Sequence, residues 1–160
     1  MEVITINSPD FKSGVLKQKC ETVLLGDMSP VDLVDLWENI DQMKSLLRGA
    51  YNGTGKGLAA PQVGINKRFF LIRFGVQIEV FINPEITRYG GIKISGREGC
   101  LSVPDARYEV ERSRKVTVKY FDESMISRER EFTGFDAVAI QHEYDHLNGI
   151  LISDIGRKSA

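Results

Sequence analysis

Apolar residues recur at helical spacing in the first third of the chain. One helical face carries Leu33, Leu36, Trp37, Ile40, Met43 and Leu47. Ser29 followed by Pro30 is typical of a helix start, because serine caps free backbone N–H groups and proline fits the first helical position. Gly49, just after the last apolar position, is typical of a helix end. The pattern therefore predicts an N-terminal helix that ends near Gly49.

The middle of the chain shows patterns that are typical of strands. Short segments rich in β-branched and aromatic residues are separated by turn residues. Six strands are predicted, over residues 68–74, 78–82, 86–89, 107–111, 116–121 and 128–133. No repeat or low-complexity segment interrupts them, so we expect one domain over residues 1–160.

A second helical pattern follows the predicted strands. Its apolar face is formed by Phe135, Val138, Ala139, His142 and His146. Thr133 with Asp136 resembles a capping box at the helix start, and Asn148-Gly149 predicts a left-handed stop at its end. This order of elements predicts an α+β fold with small antiparallel β-sheets wrapped around the second helix.

Both histidines of the chain lie on this second helix, in Gln141-His142-Glu143-Tyr144-Asp145-His146. Residues four apart on a helix differ by about 40° in direction and about 6 Å in rise, so both imidazoles can bind one metal ion. Glu143 projects about 100° further round, where it can reach a water molecule on that ion. Histidines at this spacing can also be ordinary surface or core residues. A buried imidazole pair without a partner would be costly, however, and the pattern favours a metal site.

A further ligand must come from outside this helix, and the chain has two cysteines. Cys100 lies in a segment with a glycine before it and a proline after it, which is typical of a strand that enters a turn. Cys20 lies among charged residues near the N-terminus. The long gap between them lacks the short spacing of a structural zinc site, so we expect Cys20 to be a free thiol.

Three segments resemble the signature motifs of the peptide deformylases. In chain order they are Gly55-Lys56-Gly57-Leu58-Ala59-Ala60-Pro61-Gln62, Glu98-Gly99-Cys100-Leu101-Ser102 and the histidine segment described above. The likeness extends from about Val15 to about Ile152. One departure is Lys56, at a position that is usually apolar in the family and helps to line the entrance for a methionine side chain. We expect the lysine stem to cover apolar surface and its ammonium to reach water.

The resemblance implies a catalytic metal site. Cys100, His142 and His146 would bind one divalent ion and leave a fourth position for water, as in catalytic rather than structural centres. The family typically uses Fe²⁺, which we expect in the cell. Purified protein would also accept Zn²⁺, Ni²⁺ or Co²⁺.

The resemblance also implies the reaction, which is removal of the N-formyl group from N-formylmethionyl nascent peptides with release of formate. Glu143 would accept the proton of the attacking water and return it to the departing amine. The Gln62 side-chain amide and the Leu101 backbone N–H would stabilise the negative charge on the formyl oxygen.

Substrate contacts are implied at four more positions. Gly57 and Arg107 match positions that contact the peptide backbone, while Phe135 and Val138, with His142, would line the methionine pocket. Side chains expected to orient the ligands are Glu98, Gln141 and Asp145.

Other functions use parts of the same patterns. A thermolysin-like protease shares H-E-x-x-H but takes a downstream glutamate or histidine as third ligand, and neither follows His146. A non-catalytic zinc module would need a fourth ligand, for which Cys20 is the spare thiol. The glycine-rich segment 53–60 lacks the spacing of a phosphate loop.

Composition agrees with a cytoplasmic enzyme. The formal net charge is −1, so bulk charge gives no indication of nucleic-acid binding, and apolar runs are too short to span a membrane. No signal or transit segment is recognised.

The chain ends at Ala160 without the longer final helix with which many bacterial relatives dock on the ribosome. We therefore expect at most a transient ribosome contact, and not one through the tail.

Overall fold

The computed structural model describes residues 1–8 and 14–159. Its sheet has six antiparallel strands in the order β1-β2-β3-β4-β5, with β6 paired to β4. The strands are β1 Gly57–Ala59, β2 Phe69–Phe74, β3 Gln77–Cys100, β4 Val103–Phe121, β5 Ser127–Thr133 and β6 Arg157–Lys158. The helices are α1 Pro30–Gly49, α2 Gly134–Leu147 and α3 Ile152–Ile155. The predicted α+β class is confirmed.

Two of the strands are much longer than the sequence predicts. Strand β3 covers the predicted strands 78–82 and 86–89, and β4 covers 107–111 and 116–121. The pairing of β3 with β4 shifts register at four places along its length, the first between Ile82 and Glu85. Such bulges bend a strand without ending it. In the sequence alone, Pro84 and the glycines of β3 indicate strand ends. In the structure, pairing with β4 continues past them, so the strand is not interrupted.

The first helix forms as predicted. Ser29 and Asp32 make a capping box, in which the Asp32 backbone N–H donates to Ser29 Oγ at 3.2 Å and the Ser29 N–H donates to Asp32 Oδ2 at 3.1 Å. The buried face is formed by Leu36, Ile40, Met43 and Leu47. This face covers one side of the sheet.

Strand β2 separates the two apolar layers. Phe69 and Leu71 pack into the cluster that contains the buried face of α1. Phe70 and Ile72 point the other way, into the cluster that contains Ile140 of α2. Because successive strand residues face opposite sides, an unbroken apolar run is needed where helices cover both faces. The sheet thus presents α2 with a rigid apolar surface that fixes the position of the helix.

The ends of α2 differ in how well the sequence predicts them. Thr133 is the residue before the helix, but its side chain makes no capping hydrogen bond, so the predicted capping box is wrong. The Asp136 carboxylate binds Lys56 instead. The predicted stop is confirmed, since Gly149 has φ 73° and a β-carbon there would lie 2.6 Å from the Lys17 carbonyl carbon. Among the described residues, no helix has the length and apolar character needed to cross a membrane.

Candidate active site

Three potential metal ligands meet where the end of β3 passes α2. One ligand atom from each of Cys100, His142 and His146 lies within 4.8 Å of the others. Cys100 Sγ and His146 Nε2 are 3.2 Å apart. Metal bonds of about 2.0–2.3 Å hold tetrahedral ligands within this range of each other. The sequence-predicted ligand set is therefore brought together.

The buried, neutral state of His146 fits a metal site. His146 is buried, and its Nδ1 has no hydrogen-bond partner among the described residues. Burial holds the pKa of His146 well below its ordinary value, which favours the neutral ring that metals bind. His142 differs, because hydrogen bonds with Cys100 and Glu98 outweigh burial and raise its pKa well above the ordinary value, so a metal ion would have to replace a proton on this ring. A thiol and two imidazoles suit a divalent ion, and a set of three protein ligands is typical of catalytic sites.

A buried ion-pair network orients His142. Its Nδ1 lies 2.9 Å from Glu98 Oε2, which leaves Nε2 as the ring nitrogen for a metal. Arg112 donates to both oxygens of Glu98, at 2.9 and 3.1 Å, and to Asp145 Oδ2 at 2.5 Å. Burial raises the pKa of Glu98, but these two partners outweigh it and lower that pKa. The Glu98 carboxylate therefore stays charged and holds the ring in place.

Sequence reasoning missed Arg112, whose side chain is 6% exposed. The signal was weak, because an arginine in a strand is usually solvated, and its partners lie 14 and 33 residues away along the chain. Gln141 was predicted to orient the ligands, but its side-chain hydrogen bonds go to backbone groups instead. Its amide binds the Ser113 backbone at 3.0 and 2.8 Å, and so joins α2 to β4.

Glu143 is buried beside the ligands, and its Oε2 has no hydrogen-bond partner among the described residues. Burial raises the pKa of Glu143 to about 7. Strand β1 passes so close that a β-carbon at Gly57 would lie 2.7 Å from Glu143 Cγ. Glycine is therefore required at position 57 for Glu143 to keep this position.

Gln62 points its amide nitrogen at the ligand cluster. Its Oε1 accepts a hydrogen bond from the Ala59 N–H at 2.8 Å, which fixes the orientation of the amide. Its Nε2 donates to Ser102 Oγ at 3.2 Å and lies 3.6 Å from Cys100 Sγ. Leu101 begins the turn between β3 and β4, directly after the cysteine. Both predicted oxyanion donors thus lie next to the ligands.

Many of these groups, including Cys100, His142 and Glu143, border one cleft of about 640 Å³. Among the predicted substrate contacts, its lining includes Gly57, Arg107, Phe135 and Val138. The sequence places Phe135 on the apolar face of the second helix, and we expected that face to be buried. Phe135 is 70% exposed, because it lies in the first turn of α2 at the mouth of the cleft. A cleft of this size accommodates a short peptide.

The ammonium of Lys56 was expected to reach water, but it is bound by other groups of the protein. Nζ donates to the Arg73 carbonyl and to Asp136 Oδ1, each at 2.5 Å. It lies 4.8 Å from the ring centroid of Phe74 and 5.8 Å from that of Phe135. Lys56 therefore joins β2 to the first turn of α2, and only 22% of its side chain is exposed.

Cys20 takes no part in the site. It packs in the apolar cluster under α2, and burial raises the pKa of its thiol to about 11. It is a free cysteine, as the sequence predicts. A fourth, structural ligand from this residue is therefore not present in the cluster of Cys100, His142 and His146.

Comparison with known proteins finds relatives over nearly the whole chain. The family model described as polypeptide deformylase matches residues 2–159. The peptide deformylase of Pseudothermotoga lettingae is 40% identical over 141 residues, which cover 88% of this chain and 77% of the relative. The structure of a class I type b peptide deformylase from Acinetobacter baumannii with bound Met-Ala-Ser has a TM-score of 0.82 and 34% identity, and 97% of each chain is covered. The Synechococcus elongatus peptide deformylase in complex with actinonin has a TM-score of 0.83 and 37% identity, over 98% of this chain and 79% of that one.

Proposed function

The chain belongs to the polypeptide deformylase family, and we propose which of its residues carry out each step of the family's reaction. It removes the N-formyl group from the N-terminal formylmethionine of newly synthesised polypeptides and releases formate. One observation carries the proposed roles. Cys100, His142 and His146 meet beside the buried Glu143, and Cys100, His142 and Glu143 line a single cleft.

One divalent metal ion is proposed to bind Cys100 Sγ and a ring nitrogen of each of His142 and His146. When bound, such an ion supplies Lewis acidity, which makes water nucleophilic near neutral pH. We propose Fe²⁺ in the cell, by resemblance to the family, and expect Zn²⁺, Ni²⁺ or Co²⁺ to replace it in purified samples. The mixed sulfur and nitrogen ligand set is compatible with each of these ions.

Glu143 is proposed to be the proton carrier. Its free Oε2 would accept a proton from the attacking water and then deliver it to the amine that leaves. Its burial beside the ligand cluster supports both steps, because a carboxyl group held at the floor of the cleft can exchange a proton directly with the reacting groups.

Gln62 Nε2 and the Leu101 backbone N–H are proposed to donate to the formyl oxygen as negative charge develops on it. The fixed orientation of the amide supports this role, since Ala59 binds its oxygen and leaves the nitrogen facing the ligands. A donor held in place before the reaction stabilises the transition state without reorganisation.

The cleft lining supports the proposed substrate contacts. Gly57 and Arg107 would bind the peptide backbone, and Phe135 and Val138 would contact the methionine side chain. The aliphatic stem of Lys56 can complete the apolar wall, because its ammonium is bound at the far end.

We also propose that residues 1–160 form one catalytic domain, which the family match over residues 2–159 supports. The natural substrates would be nascent peptides in the cytoplasm. Any ribosome contact would be transient and would not use the tail, because α3 and β6 fold back against β4.

The assignment is tested with protein loaded with Fe²⁺ under anaerobic conditions. We expect stoichiometric metal, release of formate from formyl-Met-Ala-Ser, and no cleavage of internal peptide bonds in casein. Cys100→Ser should lose both metal and activity, because it removes one of three protein ligands. Full metal content in dialysed Cys100→Ser would rule out the proposed ligand set. Casein cleavage without formate release would instead indicate a protease.

A further inference from the structure

We propose that the outer part of the cleft favours formyl peptides with acidic side chains in the residues after the formylmethionine. The inference rests on the proposed deformylase function, because it concerns the same cleft. Two exposed arginines of the cleft, Arg107 and Arg114, have no carboxylate partner among the described residues.

Two basic side chains of the cleft lack the ion pairs that many other basic side chains form. Many basic side chains elsewhere form ion pairs, including Lys17, Lys44, Lys67, Lys93, Lys115, Arg128, Arg130 and Arg157. Arg107 and Arg114 line the cleft and are exposed, and neither has an ion pair or a side-chain hydrogen bond within the described ranges. Their charges are therefore available to a ligand.

The basic side chains continue beyond the ligand cluster. The Arg107 guanidinium lies against Gly99, where a β-carbon would be 2.8 Å from Arg107 Cζ. An adjoining cavity of about 480 Å³ shares Arg107 with the cleft and adds Lys158. The positive charge thus follows a path outward from the Cys100 end of β3.

Among the described residues that line the two cavities, carboxylates offset little of the charge of Arg107, Arg114 and Lys158. In the cleft, Glu98 is neutralised by Arg112 and His142, and Glu143 is buried at the floor. In the adjoining cavity, Asp105 is the carboxylate that faces the basic groups. The outer cleft is therefore positive although the whole chain has a net charge of −1. A cleft lined by one sign of charge concentrates ligands of the opposite sign, and guanidinium groups bind carboxylates well.

A peptide fits this path better than a nucleic acid does. Arg107 and Arg114 border the cavity that contains Glu143, rather than a separate outer face. An extended peptide advances at most about 3.3–3.6 Å per residue. With the formyl group next to Glu143, an extended peptide that follows the cleft outward would present its second and third residues to side chains of the lining such as Arg107 and Arg114.

The test compares two peptides of equal shape, formyl-Met-Glu-Asp and formyl-Met-Gln-Asn, with metal-loaded protein. At low salt we expect kcat/KM to favour the acidic peptide by about 3- to 10-fold, because exposed charge pairs contribute modestly. Salt of about 1 M should bring the ratio close to one, since it shortens the screening length to about 3 Å. Calorimetric binding of the products Met-Glu-Asp and Met-Gln-Asn should show the same order.

Equal kcat/KM values at low salt would overturn this inference and leave the deformylase function intact. Failure to deformylate either peptide or formyl-Met-Ala-Ser would refute the proposed function itself. Inhibition by a single-stranded oligonucleotide, without any preference for the acidic peptide, would assign the basic groups to nucleic acid and also overturn the proposal.

A matched pair of variants locates the effect. Arg114→Gln should reduce the acidic-to-neutral ratio by about 2- to 4-fold, because it removes one unpaired charge from the cleft. Lys119→Gln removes the same charge from another exposed side chain of β4, outside the cavities described above. We expect this control to keep the parent ratio, and equal losses in both variants would indicate a general charge effect instead.

Discussion

The floor and the rim of the cleft are built in different ways. At the floor, Glu98, Gln62 and His146 are more than nine-tenths buried, and Glu98 and Gln62 are held by defined hydrogen bonds. At the rim, Phe135 and Arg114 are exposed, and Lys56 links two elements of the fold. A buried charged network tolerates little change, because removal of one partner leaves an uncompensated charge. The difference suggests that the floor governs turnover and the rim governs substrate affinity.

Glu143→Gln gives the strongest test of the floor. The amide has almost the same size but cannot accept the water proton, so we expect kcat to fall by about 10²–10⁴-fold. Metal content should not change, because Glu143 is not among the three proposed ligands. Formate release and metal analysis measure both quantities. A variant that deformylates formyl-Met-Ala-Ser within about threefold of the parent would exclude Glu143 as the base.

Gln62→Leu should have the next largest effect. It removes a donor aimed at charge that grows in the transition state, so we expect kcat to fall by about 10²–10³-fold with little change in KM. The Ala59 N–H also loses its acceptor, which should cost about 1–3 kcal/mol of stability. Ser102→Ala is the control, because it removes a partner of Nε2 but keeps the donor. If Gln62 only braces its loop, both variants will lose stability and neither will lose kcat.

Glu98→Gln tests the support behind the floor. The neutral amide weakens the contact with His142 Nδ1 and leaves Arg112 with less compensating charge. We expect metal affinity to fall by about 10–100-fold, as is typical when a group that orients a metal ligand is lost. Competition with a chelator measures this affinity. Unchanged affinity, together with a lower melting temperature, would mean that the network serves folding alone.

The sequence predicted the location of the residues at the floor of the cleft better than that of the Arg112 network behind them or of the Lys56 ammonium at the rim. The spacing of His142 and His146 places them on one helical face, which local geometry alone determines. The position of Arg112 depends on partners from β3 and α2, and no local pattern contains that information. The ammonium of Lys56 was expected in water for the same reason, since Asp136 is 80 residues away. The positions of the Arg112 guanidinium and the Lys56 ammonium both depend on contacts between segments that are distant in the sequence.

Lys56→Met is the mildest change and bears directly on the rim. Methionine keeps an unbranched apolar stem but loses the ammonium, and with it the link between the Arg73 carbonyl and the Asp136 carboxylate. The first turn of α2, which carries Phe135 at the mouth of the cleft, is then less constrained. We expect KM for formyl-Met-Ala-Ser to rise by about 2- to 5-fold, because a partly exposed ion pair contributes about 0.5–1 kcal/mol. The value of kcat should hold.

Lys44→Met is the matched control for this last prediction. Lys44 also forms an ion pair at 2.5 Å, with Glu123, and its side chain is 14% exposed against 22% for Lys56. Its pair joins α1 to the turn after β4, away from the cleft lining. Both variants should lose similar stability, but only Lys56→Met should raise KM. A fall in kcat in Lys56→Met would mean that the rim also positions the catalytic groups, and the separation of floor from rim would then be wrong.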